Sequence, residues 1–153
     1  MPANIGRKEI TMISELIKLS EAAVVAMTVL GEAEGEPWAG KMIVSETFVN
    51  RSNASGKSLK DTCLAPSQYS CWNGEERQRK LINRAAELER INSQAWKDCK
   101  ELAKCVCQPG YTPSTSATHY YAPAKMDKPP WWADKMKLVA IVAGHKFFCE
   151  TKS

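Results

Sequence analysis

Three glutamates fall within five positions in "GEAEGEP", residues 31–37, between an apolar run and a proline. Glu32 follows "AAVVAMTVL" after Gly31 alone, so it leaves the end of an apolar helix, expected near Gly31. There the negative end of the helix dipole and the apolar surroundings both disfavour a charged carboxylate and push its pKa upward. A carboxylic acid that stays protonated near neutral pH can hand its proton to a glycosidic oxygen as that bond breaks.

Glu34 lies in the junction and reads as surface charge, and Glu36 reads as part of the start of the next helix, whose positive end favours it. No second carboxylate is evident; Asp127 and Asp134 stand at no spacing that pairs either with Glu32. "PSQYSCWN" and "ATHYYAP" combine aromatic rings with amides and hydroxyls, the mixture that carbohydrate clefts use. Of Trp131 and Trp132, one is expected to be buried and the other to face a groove. His119 lacks a serine in a G-x-S-x-G setting, and a cysteine nucleophile with His119 or His145 ranks below the carboxylate. No Walker or Rossmann glycine pattern occurs.

These side chains need a scaffold. Residues 10–19 read as a short amphipathic helix, and Ser20 suits the start of a second. Residues 22–30 are small or apolar nearly throughout, which predicts a helix wrapped by protein on all sides. Pro37 fits the first turn of a third helix running to about Asn50, with "RSNASGKS" as a polar loop after it. Residues 75–104 form a long charged helical segment in which Glu75 and Arg79, and Glu76 and Lys80, stand four apart. Its interleaved acids mark a solvated face instead of a phosphate-binding stripe, so no nucleic-acid partner is expected. "QPGYTPSTSATHYYAPAKMDKPPWW" is a long irregular stretch of the kind that carries function. "KLVAIVAGHKFF" predicts a hairpin around Gly144, with "THYY" as a third strand.

With 153 residues and 44% hydrophobic content, the chain is long enough for one core and short for two, so a single domain is expected over 1–153: an N-terminal helical extension, 1–19, and a core, 20–150. The class is mainly α, an α+β domain with a small antiparallel sheet. No stretch reaches the roughly 18 apolar residues of a membrane span, and a formal charge of +4 gives a mild bias towards polyanions. The six cysteines read as buried thiols, a disulfide or two being compatible. None has paired C-x-x-C spacing, and neither a metal nor a cofactor is expected.

Taken in order, "GEAEGEPWAGKMIVSETFVNR", "PSQYSCWN", "ATHYYAP" and "WADKMKLVAIVAGHKFF" resemble successive blocks of the SleB-type cell wall hydrolases, the catalytic domain of spore-cortex-lytic enzymes, from about Glu21 to Phe148. The resemblance implies a lysozyme-like fold related to lytic transglycosylases and a peptidoglycan substrate, cut between N-acetylmuramic acid and N-acetylglucosamine. It places the family's catalytic glutamate at Glu32, and Gln68, Tyr69, Ser70, Trp72, His119, Tyr120 and Tyr121 along the cleft. It implies one carboxylate only, acting first as acid and then as base while the sugar's own 6-hydroxyl closes a 1,6-anhydro ring. Two departures, Ser116 in place of a glycine and "AGHKFF" without an asparagine before the histidine, reshape the cleft rim.

With no export signal or wall-binding domain in view, the expectation is a monomeric phage endolysin made in the host cytoplasm and reaching the wall with a holin-type partner; a chromosomal wall-remodelling enzyme is the nearest rival. A hydrolytic muramidase and a non-catalytic glycan-binding module are the alternative functions.

Overall fold

The computed structural model describes residues 18–151, so the helix expected over 10–19 lies outside the described residues apart from its last two positions. Among the described residues there are five α-helices, two short 3-10 turns and three strands.

Helix α1, Glu21–Ala33, starts where Ser20 predicts: the Ser20 hydroxyl accepts the Ala23 N–H at 3.1 Å. Its small and β-branched side chains from Val24 to Leu30 are buried all round, as their composition requires, and α1 packs against each of the other four described α-helices. The helix ends at Ala33, two residues past Gly31, and beyond it buried Lys41 supplies its ammonium to the carbonyls of Glu34 (2.8 Å) and Glu36. A cation on carbonyls that have no helical partner offsets the negative end of the dipole and holds the last turn.

Helix α2, Trp38–Ser55, has Pro37 as the residue capping it, one position ahead of its expected place in the first turn. It also outruns its expected end at Asn50 and absorbs "RSNAS", closing at Gly56, whose φ of 75° lets its N–H turn back to Ser52 O at 2.9 Å. The turn-forming residues lose to tertiary bonds made by this last part of the helix. Asn50 Nδ2 donates to Thr115 O (2.9 Å) and Ala117 O (2.8 Å), and Arg51 Nε to Thr118 O (2.5 Å).

Short α3, Leu59–Leu64, is capped by the Ser58 hydroxyl, which accepts the Asp61 N–H at 3.0 Å. The single segment expected over 75–104 is two helices, α4, Gly74–Arg90, and α5, Gln94–Val106, broken at Asn92 with φ 58°. Each turns one apolar face inward, Leu81, Ala85 and Leu88 from α4 and Trp96, Cys99, Leu102 and Val106 from α5. The expected pairs form, Glu75 with Arg79 at 2.5 Å and Glu76 with Lys80 at 3.4 Å.

The sheet is antiparallel in the order β1–β3–β2, with β1 His119–Tyr121, β2 Lys137–Val142 and β3 His145–Cys149. β2 and β3 form the expected hairpin, turning at Ala143 (φ 51°) and Gly144, and "THYY" supplies the third strand, with Tyr120 opposite Phe147. All six thiols are free, so no disulfide ties the chain.

Gly31 has no room for a side chain in its own direction: a Cβ there would stand 2.6 Å from Cys71 Cβ and 2.8 Å from Cys71 Sγ. Gly31→Ala is expected to cost about 1–3 kcal/mol, the range for overpacking, despite alanine's better helix propensity. Thermal melts check this, and adding Cys71→Gly should recover most of the loss.

Candidate active site

The last turn of α1 brings the Glu32 side chain into an open cleft of about 560 Å³. It is lined by one face of α4, with Arg77, Lys80, Leu81 and Arg84, and by Glu36, Cys71, Lys125 and His145. The Tyr120 hydroxyl donates to Glu32 Oε1 at 2.6 Å. Burial raises the Glu32 pKa above the ordinary 4.5, against the Tyr120 hydrogen bond and the charges of Arg51 and Lys125, which lower it. Tyr120 is itself pushed well above 10 by burial and by Glu32, so it remains a donor. The structure thus makes Glu32 a reluctant acid, with burial as the leading cause.

The two neighbouring glutamates are both committed. Glu34 is clamped by the Arg84 guanidinium, Nη2 to Oε2 at 2.6 Å and Nε to Oε1 at 3.2 Å, which lowers its pKa and keeps it ionised. Glu36 was expected to serve the start of α2, but its side chain crosses to the hairpin instead. Oε2 accepts the Gly144 N–H at 3.3 Å, and Oε1 lies 2.9 Å from Nδ1 of buried His145, in a contact too poorly aligned to satisfy that nitrogen. Burial lowers the His145 pKa, opposed by Glu36, which favours the neutral imidazole at pH 7. A Cβ on Gly144 would stand 2.7 Å from Glu36 Oε1, so this crossing depends on the glycine.

Strand alternation separates the aromatic residues that the sequence groups together. Tyr120 points to Glu32 and sets its ring edge-on to His145 at 5.5 Å. His119 and Tyr121 take the opposite side of β1: His119 meets Trp132 edge-on at 5.1 Å, and Tyr121 stacks on Phe148 at 5.8 Å. Tyr69 and Trp72 are buried, Tyr69 edge-on to Phe48 at 4.8 Å and Trp72 Nε1 donating to Thr28 Oγ1 at 2.9 Å. They support the core beneath the cleft and do not line it. Exposed Ser70 lies outside its lining, while Gln68 accepts from Arg51 Nη1 at 2.8 Å and joins His119 and Glu150 around a second hollow of about 350 Å³. A third, of about 340 Å³, shares His119 and Glu150 with it and is walled by Trp131 and Trp132. Trp131 is 77% exposed and Trp132 only partly buried, so neither is the buried partner expected of that pair, and both face this hollow.

Asp127 and Asp134 are exposed and stand outside the acid's cleft. Burial and the nearby Glu32 push the Cys71 thiol up to about 12, so it is not a nucleophile at neutral pH. Among the described residues no group of three or more His, Cys, Asp or Glu could hold a metal ion.

The cleft residues that sequence reasoning missed are Arg77, Lys80 and Arg84, set aside as a solvated face, together with Glu36, Lys125 and His145. The α4 residues did carry a signal: 77, 80, 81 and 84 follow the spacing of one helix face, and Leu81 in their midst is buried. The Glu36–His145 contact carried none, being made between residues more than a hundred positions apart.

Removing the Tyr120 hydroxyl removes a bond that lowers the Glu32 pKa. Activity that needs protonated Glu32 falls as pH rises through that pKa, so Tyr120→Phe should move the alkaline limb of the pH–rate profile to higher pH. A limb that stays in place or moves down would separate it from Glu32.

Fold and site together define a mainly helical α+β domain with a half-buried acid at the end of its central helix, open to a cleft. Residues 35–148 match the family described as cell wall hydrolase, and the chain belongs to that family. Glu32 lies just ahead of the matched segment. Among solved structures the chain is similar to the catalytic domain of the germination-specific lytic transglycosylase SleB from Bacillus anthracis, at 18% identity and a TM-score of 0.59, covering 87% of this chain and 98% of that one. That likeness is one of fold, and it agrees with the lysozyme-like architecture expected from the sequence. Comparison with the curated proteins finds no match.

Proposed function

We propose that this chain cleaves the glycan strands of peptidoglycan between N-acetylmuramic acid and N-acetylglucosamine as a lytic transglycosylase, with Glu32 as the single acid and base. The observation that carries the reading is the half-buried Glu32 carboxyl group, its pKa raised by burial, bonded by Tyr120 and open to a cleft. Glu32 gives its proton to the bridging oxygen, which leaves with the bonding electron pair as the 4-hydroxyl of one sugar. The Glu32 carboxylate, now accepting from Tyr120, takes the proton of the muramic 6-hydroxyl as that oxygen attacks the anomeric carbon. The products are a 1,6-anhydro end and a regenerated acid, and no water is consumed.

Family membership and the likeness to the SleB catalytic domain support a wall-degrading activity. The engagement of Glu34 by Arg84, and of Glu36 by the hairpin, supports the one-carboxylate chemistry. Hydrolysis is the second reading, favoured by the fact that Glu34 and Glu36 line the same cleft as Glu32. Product mass separates the two, because an anhydro end is lighter than a hydrolysed end by one water. Mass spectra of the released muropeptides that contain hydrolysed reducing ends alone would reject the transglycosylase version, and wall binding without release of fragments would leave a glycan-binding module.

A further inference from the structure

The walls of the acid's cleft carry more positive charge than its acids can match. Four cations line it, Arg77, Lys80, Arg84 and Lys125, against Glu32, Glu34 and Glu36. Arg84 is taken by Glu34, and Glu36 is turned to His145 and Gly144. Among the described residues Arg77 makes only a 3.3 Å bond to the Ser70 carbonyl, and Lys125 has no ion pair. Lys80 reaches Glu76 at 3.4 Å, but those side chains are 76% and 82% exposed, a pairing that binds weakly.

For the proposed chemistry these cations are a handicap. Positive charge beside a general acid draws off its proton, as Lys125 does to Glu32, and it repels the positive charge that develops on the sugar. A neutral glycan would gain nothing from such a wall. A substrate that brings its own negative charge would, because the wall is then opposite to it in sign and draws it in.

Resting on the reading of a peptidoglycan-cleaving cleft, we propose that Arg77, Lys80 and Lys125 form a binding site for substrate carboxylates, the ligand being the acidic peptide stems that muramic residues carry. The preferred substrate is therefore glycan with its stems in place and charged, and the α4 wall selects for it. The 560 Å³ of the cleft can admit a sugar and part of its substituent together.

The test uses purified walls freed of phosphate polymers, and the same walls after carbodiimide and ammonia have converted their carboxylates to neutral amides. Wild-type protein is expected to show a KM about tenfold higher on amidated walls, with kcat nearly kept, and the gap should close as salt is added. Arg77→Gln combined with Lys80→Gln, both at exposed positions, should show that same rise on untreated walls and match wild type on amidated ones. An unchanged wild-type KM on amidation, or a variant defect that persists on amidated walls, overturns the proposal. So does a charge preference seen only while the phosphate polymers are present, which would assign the site to phosphate. If no wall is solubilised at all, the cleavage reading falls instead. Binding of Glu32→Gln protein to the two walls then decides the carboxylate site by itself, with equal binding counting against it.

Discussion

Glu32→Gln is expected to slow the release of soluble fragments from peptidoglycan by about a thousandfold, within the range for loss of a general acid, while leaving the fold intact. Glutamine keeps the size and polar end of the side chain but has no proton to give to a leaving oxygen. The same substitution should change stability in a way that reveals why the acid is reluctant. Burial raises the pKa of Glu32 in the folded chain above the ordinary 4.5, so between the two values the folded protein holds more protons than the unfolded one. Stability then falls as pH rises through that window, and it is fully present only below it. Glu32→Gln lacks this decline. It is expected to melt higher than wild type at neutral pH and to converge with it in acid, a comparison that needs two sets of thermal melts. Equal activity of both proteins, or a wild type that gains stability as pH rises through the window, would remove Glu32 from the role.

Glu46→Ala is expected to give the largest loss of stability, about 3–5 kcal/mol. Glu46 is 1% exposed in the middle of α2. Its Oε2 accepts from the Tyr111 hydroxyl (2.6 Å) and the Ser114 N–H (2.8 Å), and its Oε1 from the Ser114 hydroxyl (2.7 Å). Alanine leaves these donors in a part-buried place without an acceptor, and each costs about 1–3 kcal/mol. Glu46, Asn50 and Arg51 of α2 together fasten the segment that leads into β1. Activity should therefore decline as well, because the position of Tyr120 against Glu32 depends on that strand. Chemical denaturation of Glu46→Ala and Glu46→Gln checks this; a loss under about 1 kcal/mol for alanine would show that the segment is held by other means.

Much of the scaffold was legible because its cause is local. An apolar stretch such as 22–30 must be surrounded by protein wherever it lies, and Ser20 bonds a backbone N–H only three residues ahead. The hairpin, the third strand and the charged pairs on α4 follow from alternation and spacing in the same way. The extension of α2 through "RSNAS" was hidden, because the bonds that favour it run from Asn50 and Arg51 to residues 115–118.

The candidate site divides along the same line. That Glu32 would sit at the end of a buried helix, with a raised pKa, was determined by residues 22–30, apolar except for Thr28, before Gly31 and Glu32. Which groups face it was decided only in three dimensions. Strand pleating sends Tyr120 to the acid and turns His119 and Tyr121 away, and the packing of "QYSCW" beneath α1 buries Tyr69 and Trp72 where an open cleft was expected. α4 lines the cleft with basic side chains, and Glu36 turns from the start of α2 to the hairpin. A helix or strand is chosen by neighbours a few residues away, and composition alone records those. The partners of a side chain are chosen by distances that exist only once the chain has closed on itself.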